Sequence, residues 1–104
     1  RASHLLVMYR GSERSPGTIT RTRDEARARA QEALTRARRG DDFARLAGEF
    51  SDEPGAAARG GDLSRFGHGQ MVPAFDQAAF ALRVGQVSDL VETPFGFHVI
   101  KRTE

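Results

Sequence analysis

Apolar positions change their spacing along the chain, and each change marks an element. Ser3 to Tyr9 (SHLLVMY) is a short apolar run that predicts a first strand. Arg10 to Thr20 carries Gly, Ser and Pro with little apolar content and reads as a loop. Thr22 and Glu25 stand at capping-box spacing, and Ala26, Ala30, Ala33, Leu34 and Ala37 then recur at helical intervals before Gly40. Asp41 or Asp42 caps a second helix, with Phe43, Leu46, Ala47 and Phe50 on one face. From Ser51 to Gly61 (SDEPGAAARGG) the pattern dissolves into an extended loop, and Asp62 to Phe66 alternates as a short strand. Pro73 opens a third helix with Phe75, Ala78, Ala79 and Leu82 on its inner face. After a turn at Arg83–Gln86, Val87 to Glu92 and Phe97 to Arg102 predict two strands joined by the Thr93-Pro94-Phe95-Gly96 hairpin.

Helices set apart from a small, mostly antiparallel sheet define an α+β domain, since the last connection is too short for a parallel crossover. With 104 residues, the chain is expected to form one domain, 1–104, around a modest core. No apolar run approaches the roughly 18 residues of a membrane span, and no signal-peptide pattern opens the chain. It begins abruptly in strand sequence, as an excised domain would. Residue usage does not fix the compartment.

Cysteine is absent, which removes disulfides, thiolate nucleophiles and Cys-type zinc sites. Net charge is only +2, yet Arg21, Arg23, Arg27, Arg29, Arg36, Arg38 and Arg39 crowd one segment. Asp24, Glu25 and Glu32 are interleaved with them, so the segment reads as a solvated helix face, and no nucleic-acid partner is expected.

Three histidines are candidates for chemistry: His4, His68 and His98. Alternation puts His4 in phase with Leu6 and Met8, and His98 with Ile100 and Arg102. If the first and last strands pair, the two imidazoles meet through one donor and one acceptor nitrogen. Otherwise they are two unrelated surface histidines. No two histidines lie three or four residues apart, so no metal site is expected. Neither a nucleophile elbow nor a phosphate-binding glycine loop is present. Leu63, Phe66, Met71, Phe75 and Phe97 form core or line an apolar slot, and periodicity does not separate the two.

Six pieces taken in order resemble one family. They are Ser3-His4-Leu5-Leu6-Val7, Phe50-Ser51-Asp52, Arg59-Gly60-Gly61-Asp62-Leu63, Gly69-Gln70-Met71-Val72-Pro73-Ala74-Phe75, Ala79-Phe80-Ala81-Leu82 and Phe95-Gly96-Phe97-His98-Val99-Ile100. The series looks like the parvulin family of peptidyl-prolyl cis/trans isomerases and covers nearly the whole chain. The resemblance implies a four-stranded antiparallel sheet surrounded by about four helices. It also implies rotation of X-Pro bonds in peptides and proteins without a cofactor, by a monomer. His4 and His98 match the family's paired histidines, and Thr93 a hydroxyl residue that orients them. Leu63, Met71 and Phe75 match the proline pocket, with Phe66 and Phe97 extending its wall and Gln70 on the rim. Glu53 stands where the family usually carries Cys or Asp, with Asp52 beside it as a second carboxylate.

One branch of the family prefers phosphoserine or phosphothreonine before proline. Arg10 and Arg14 are the candidate phosphate forks here, opposed by Glu13. Met8 stands where that branch carries Lys, and the loop is shorter, so a general substrate preference is expected. A second reading is a peptide-binding chaperone module with weak isomerase activity.

Overall fold

The computed structural model describes all residues 1–104. The two ends of the chain meet at the centre of the sheet. Strand β1 (Ala2–Val7) pairs antiparallel with β3 (Gly96–Arg102), in register from Ala2 opposite Arg102 to Val7 opposite Phe97. Strand β2 (Val91–Thr93) covers the other edge of β3, giving the order β1-β3-β2. Between β1 and β2 run α1 (Arg23–Arg38), α2 (Phe43–Phe50), a single turn α3 (Ala56–Arg59) and α4 (Pro73–Ala81).

The sheet has three strands, and the fourth is reduced to one rung. Ser3 bridges Asp62, His4 N–H donates to the Gly61 carbonyl at 2.9 Å, and Leu63 N–H donates to the Ala2 carbonyl at 2.9 Å. Gly61 (φ +76°) and Ser64 (φ +62°) take left-handed backbone on either side, which leaves only two extended residues between them. At Gly61 a Cβ would lie 2.3 Å from the His4 carbonyl oxygen, so glycine is what lets this edge approach β1. The expected Val87–Glu92 strand is also shortened. Ser88 Oγ accepts from Ile100 N–H at 3.0 Å, taking a place in the ladder from the backbone.

Alternation then sorts the side chains. Leu5, Val7, Phe97 and Val99 face α1 and α2, where they pack with Ala26, Ala30, Leu34, Leu46 and Phe50 into the larger core. Ala2 and Ile100 face the other way, under Phe75, Ala79 and Leu82 of α4 and its end. Ala26, Ala30 and Ala33 of α1 are fully buried because small side chains let the helix lie close to the sheet.

The expected caps are in place. Glu25 N–H donates to Thr22 Oγ1 at 3.1 Å, and Thr22 N–H donates to the Glu25 carboxylate at 2.8 Å. Of the two candidate caps for α2, Asp42 holds the helix end through Ala44 N–H, and Asp41 pairs with Arg36 and Arg39. The turn α3 lies inside the stretch that reads as loop. Four residues between left-handed Gly55 and Gly60 are too few to show a period. The basic face of α1 is largely matched by acids: Arg23 pairs with Glu92, Arg36 with Glu49, and Arg38 with Asp89. No helix is long and apolar enough to cross a membrane.

Candidate active site

His4 stands opposite Ile100 and His98 opposite Leu6, so the two imidazoles are diagonal neighbours on one face of the central strand pair. Their rings stack with centroids 5.3 Å apart and Nδ1 atoms 3.2 Å apart, both buried. On the far side of His98, Nε2 is 2.8 Å from Thr93 Oγ1, which also accepts from Phe95 N–H at 3.2 Å. On the far side of His4, Nε2 meets the Glu53 carboxylate.

With one proton on each ring, the directions follow from what each group can donate. The Glu53 carboxylate only accepts, so His4 carries its proton on Nε2 and accepts at Nδ1. His98 then donates from Nδ1, and its Nε2 accepts from the Thr93 hydroxyl. The result is a directed chain from the hairpin through both histidines to Glu53. His4 holds the pKa of Glu53 below the usual carboxylate range, chiefly through this hydrogen bond, so the acid end is ionised.

Burial, and after it the neighbouring His4, push His98 down from its ordinary 6.5 to about 3. Unfolding restores the ordinary value. Below about pH 6.5 the unfolded chain therefore takes up a proton that the native state refuses. Stability present at neutral pH is lost as pH falls from that point toward 3, by up to about 1.4 kcal/mol per pH unit. Asp41 and Asp62, held at about 2 by Arg39 and Arg1 respectively, lose their stabilising contributions only in more acidic solution. Urea unfolding at about pH 7 and about pH 5 should show this slope in the native chain and not in His98→Gln. Parallel slopes in the two proteins would refute it.

Above the histidines opens a cavity of 650 Å³. Leu63 reaches it from the rung beside β1, Met71 from the loop before α4, and Phe75 from the first turn of α4 after Pro73. Phe75 sets the floor: its ring meets His4 and His98 edge-on, with centroids 5.5 and 5.2 Å away. Leu6, Met8, Val72, Pro54 and Phe95 complete the lining, and Gln70 sits at the rim. Gln70 Oε1 is turned back to accept from Gly67 N–H at 2.6 Å, so its carbonyl oxygen shapes its own loop.

Several expected positions move. Phe97 does not extend the wall. It lies one residue from His98, so alternation sends it to the opposite face, into the core under α1. Phe66 stands behind the wall, between Phe75 (6.1 Å) and Phe80 (5.6 Å). Arg10 does not line the cavity: its backbone N–H donates to the Arg21 carbonyl, and it borders a separate cleft with Pro16 and Ile19. Asp52 does not double Glu53: its carboxylate accepts from Met8 N–H at 2.9 Å and pairs with Arg21 at 2.6 Å. Arg14 does reach the rim, its guanidinium 5.8 Å from the Phe95 ring centre.

Arg59 is the rim residue that sequence reasoning missed. Its guanidinium donates to Glu53 Oε1 at 3.2 Å and to the Pro54 carbonyl at 3.4 Å. The helical turn α3 aims it there, and no periodicity reveals so short a turn. Met8 and Leu6 could have been found, because they share the phase of His4. No group of three or more His, Asp or Glu side chains is placed to hold a metal ion.

All 104 residues match the model of the PPIC-type PPIase domain. The chain is 45% identical to the foldase protein PrsA of Geobacillus sp. over 104 residues, and spans 32% of that protein's length. It is 44% identical to the peptidyl-prolyl cis-trans isomerase Pin1 of Malus domestica over 115 aligned positions, covering 99% of this chain and 92% of that protein. Among solved structures, the peptidyl-prolyl isomerase ESS1 from Candida albicans superimposes with a TM-score of 0.91 at 41% identity, over 99% of this chain and 61% of that one. With an α+β fold of this topology and a chain-long match, the protein belongs to the parvulin family of peptidyl-prolyl cis/trans isomerase domains.

Proposed function

We propose that the cavity between Leu63, Met71 and Phe75 takes the proline ring of a peptide and that the X-Pro bond rotates above the histidine pair. The observation that carries this is the juxtaposition of an apolar floor, Phe75, with an ionised carboxylate, Glu53, at one edge of the same cavity. The barrier to rotation, about 18–20 kcal/mol, comes from amide resonance. Twisting breaks that resonance, makes the nitrogen pyramidal and reduces charge separation across the C–N bond. An apolar surround therefore favours the twisted state over the polar planar one, and a held ring fixes one side of the axis. Rotation needs no covalent bond to the protein and no cofactor.

In this reading Thr93, His98 and His4 hold Glu53 rather than transfer a proton to substrate. Their directed hydrogen bonds fix the carboxylate at the edge where the rotating carbonyl passes. In this reading the domain acts as a monomer. Its clients are proline-containing proteins whose folding or switching waits on slow isomerisation, and within a longer protein it supplies the catalytic part of a foldase.

The substrate preference follows from the rim. Arg10 does not line the cavity, and Arg59 is already engaged by Glu53, which leaves Arg14 as the free rim cation. One exposed cation contributes on the order of 1 kcal/mol or less. Exchange NMR on matched Ser-Pro peptides, with and without phosphate on the serine, should show enhanced exchange for both, within about fivefold of each other. Enhancement confined to the phosphopeptide would overturn the general preference. No enhancement on either peptide, with binding retained, would leave the chaperone reading in its place.

A further inference from the structure

The Gly67–Met71 loop bears one wall of the cavity through Met71, yet Gly67 to Gln70 are exposed and two of those four residues are glycine. Within residues 67–71, the Gly67–Gln70 bonds tie the loop only to itself. Two hydrogen bonds leave the segment, and both end on Asp76. Gly69 N–H donates to Asp76 Oδ1 at 3.1 Å, and His68 Nδ1 lies 3.2 Å from Asp76 Oδ2. The His68 ring also lies flat on Phe80, with centroids 3.7 Å apart. Asp76 stands in the first turn of α4, where an acid ordinarily serves its own helix. Here both oxygens turn outward to the loop, and the carboxylate is only 17% exposed.

We propose that Asp76 and His68 are positioning residues: they clasp the Gly67–Met71 loop to α4 and so set the Met71 wall of the pocket before substrate arrives. The inference rests on the reading that this pocket receives proline. Without the clasp, the loop's ordering cost falls on the binding step, while Glu53, His4 and His98 are untouched. Such a change raises KM and spares kcat.

The test uses the full chain and an Ala-Pro tetrapeptide. Asp76→Ala should raise KM roughly tenfold, equivalent to ordering about one residue's backbone, with kcat within about twofold of the native chain. Asp76→Asn keeps an acceptor for Gly69 N–H and should fall between. His68→Ala should raise KM less, and the double variant no further than Asp76→Ala, because both act through one contact. Amide exchange separates this from loss of the helix: Gly69 should lose protection in Asp76→Ala while β3 keeps its own. An unchanged KM, a fall in kcat alone, or single effects that multiply in the double variant would each overturn the clasp. Met71→Ala is the control for the pocket. If it raises KM and Asp76→Ala does not, the clasp fails alone; if neither does, the pocket assignment fails with it.

Discussion

Replacing Phe75 by Ala is expected to reduce kcat/KM about 100-fold and to destabilise the domain by about 3–5 kcal/mol. Both effects come from one ring. Its edge lies on His4 and His98, where it forms the cavity floor, and its remaining surface packs with Ala2, Ala79, Leu82 and Ile100. At 3% exposure it is core and pocket at once. A loss of that size is a large part of the roughly 5–15 kcal/mol typical of a whole domain, so the assay belongs at a temperature where the variant is folded. Phe75→Leu separates the two roles. It keeps most of the apolar volume, so stability should recover to within about 1.5 kcal/mol. The ring edge on the histidines is still missing, and kcat/KM should stay about tenfold low. Native kcat/KM in folded Phe75→Ala would remove Phe75 from the site. Met71, half-buried on the wall and packed only against the edge of the smaller core, is the position where truncation is expected to spare the fold.

Gly96→Ala is expected to destabilise the domain by about 3–5 kcal/mol, although it adds a single methyl. Gly96 has φ +140°, a region that L side chains rarely adopt, and a Cβ there would lie 2.3 Å from the Val7 carbonyl oxygen and 3.1 Å from Met8 Cα. The obstacle is backbone at the end of the partner strand β1, so it cannot rotate away. Relief requires β1 and β3 to part at the end where the Thr93–Phe95 turn holds the histidine chain. Urea denaturation should show the lowered midpoint. The histidine ring resonances should report loss of the Thr93 contact in whatever folded population remains. An unchanged midpoint would mean that the strand ends move apart freely.

Much of the architecture was legible because it is local. The Thr22–Glu25 capping box, the alanine stripe of α1, Pro73 at the start of α4 and the Thr93–Gly96 turn each depend on residues within a few positions of one another. The histidine pair was legible conditionally. Alternation gave each ring a face, and pairing of the first and last strands did the rest, across 94 residues of sequence. Alternation also excludes Phe97 from the pocket, since it cannot share a face with His98.

Choices between adjacent residues were a different matter. Asp52 and Glu53 are both carboxylates after α2, and nothing in their composition says which reaches His4. The answer came from Asp52 N–H bonding to the Leu6 carbonyl, which turns the Asp52 side chain toward Arg21 and aims Glu53 at the cavity. Arg10 and Arg14 likewise share one loop. Glu13 N–H on the Pro94 carbonyl pins that loop so that only Arg14 meets the rim. By itself the sequence determined the elements, their inner faces and the family, because caps, periods and turns are set by near neighbours. Only the tertiary structure decided which carboxylate and which arginines border the pocket, because a side chain's aim depends on backbone contacts made by residues far apart in the chain.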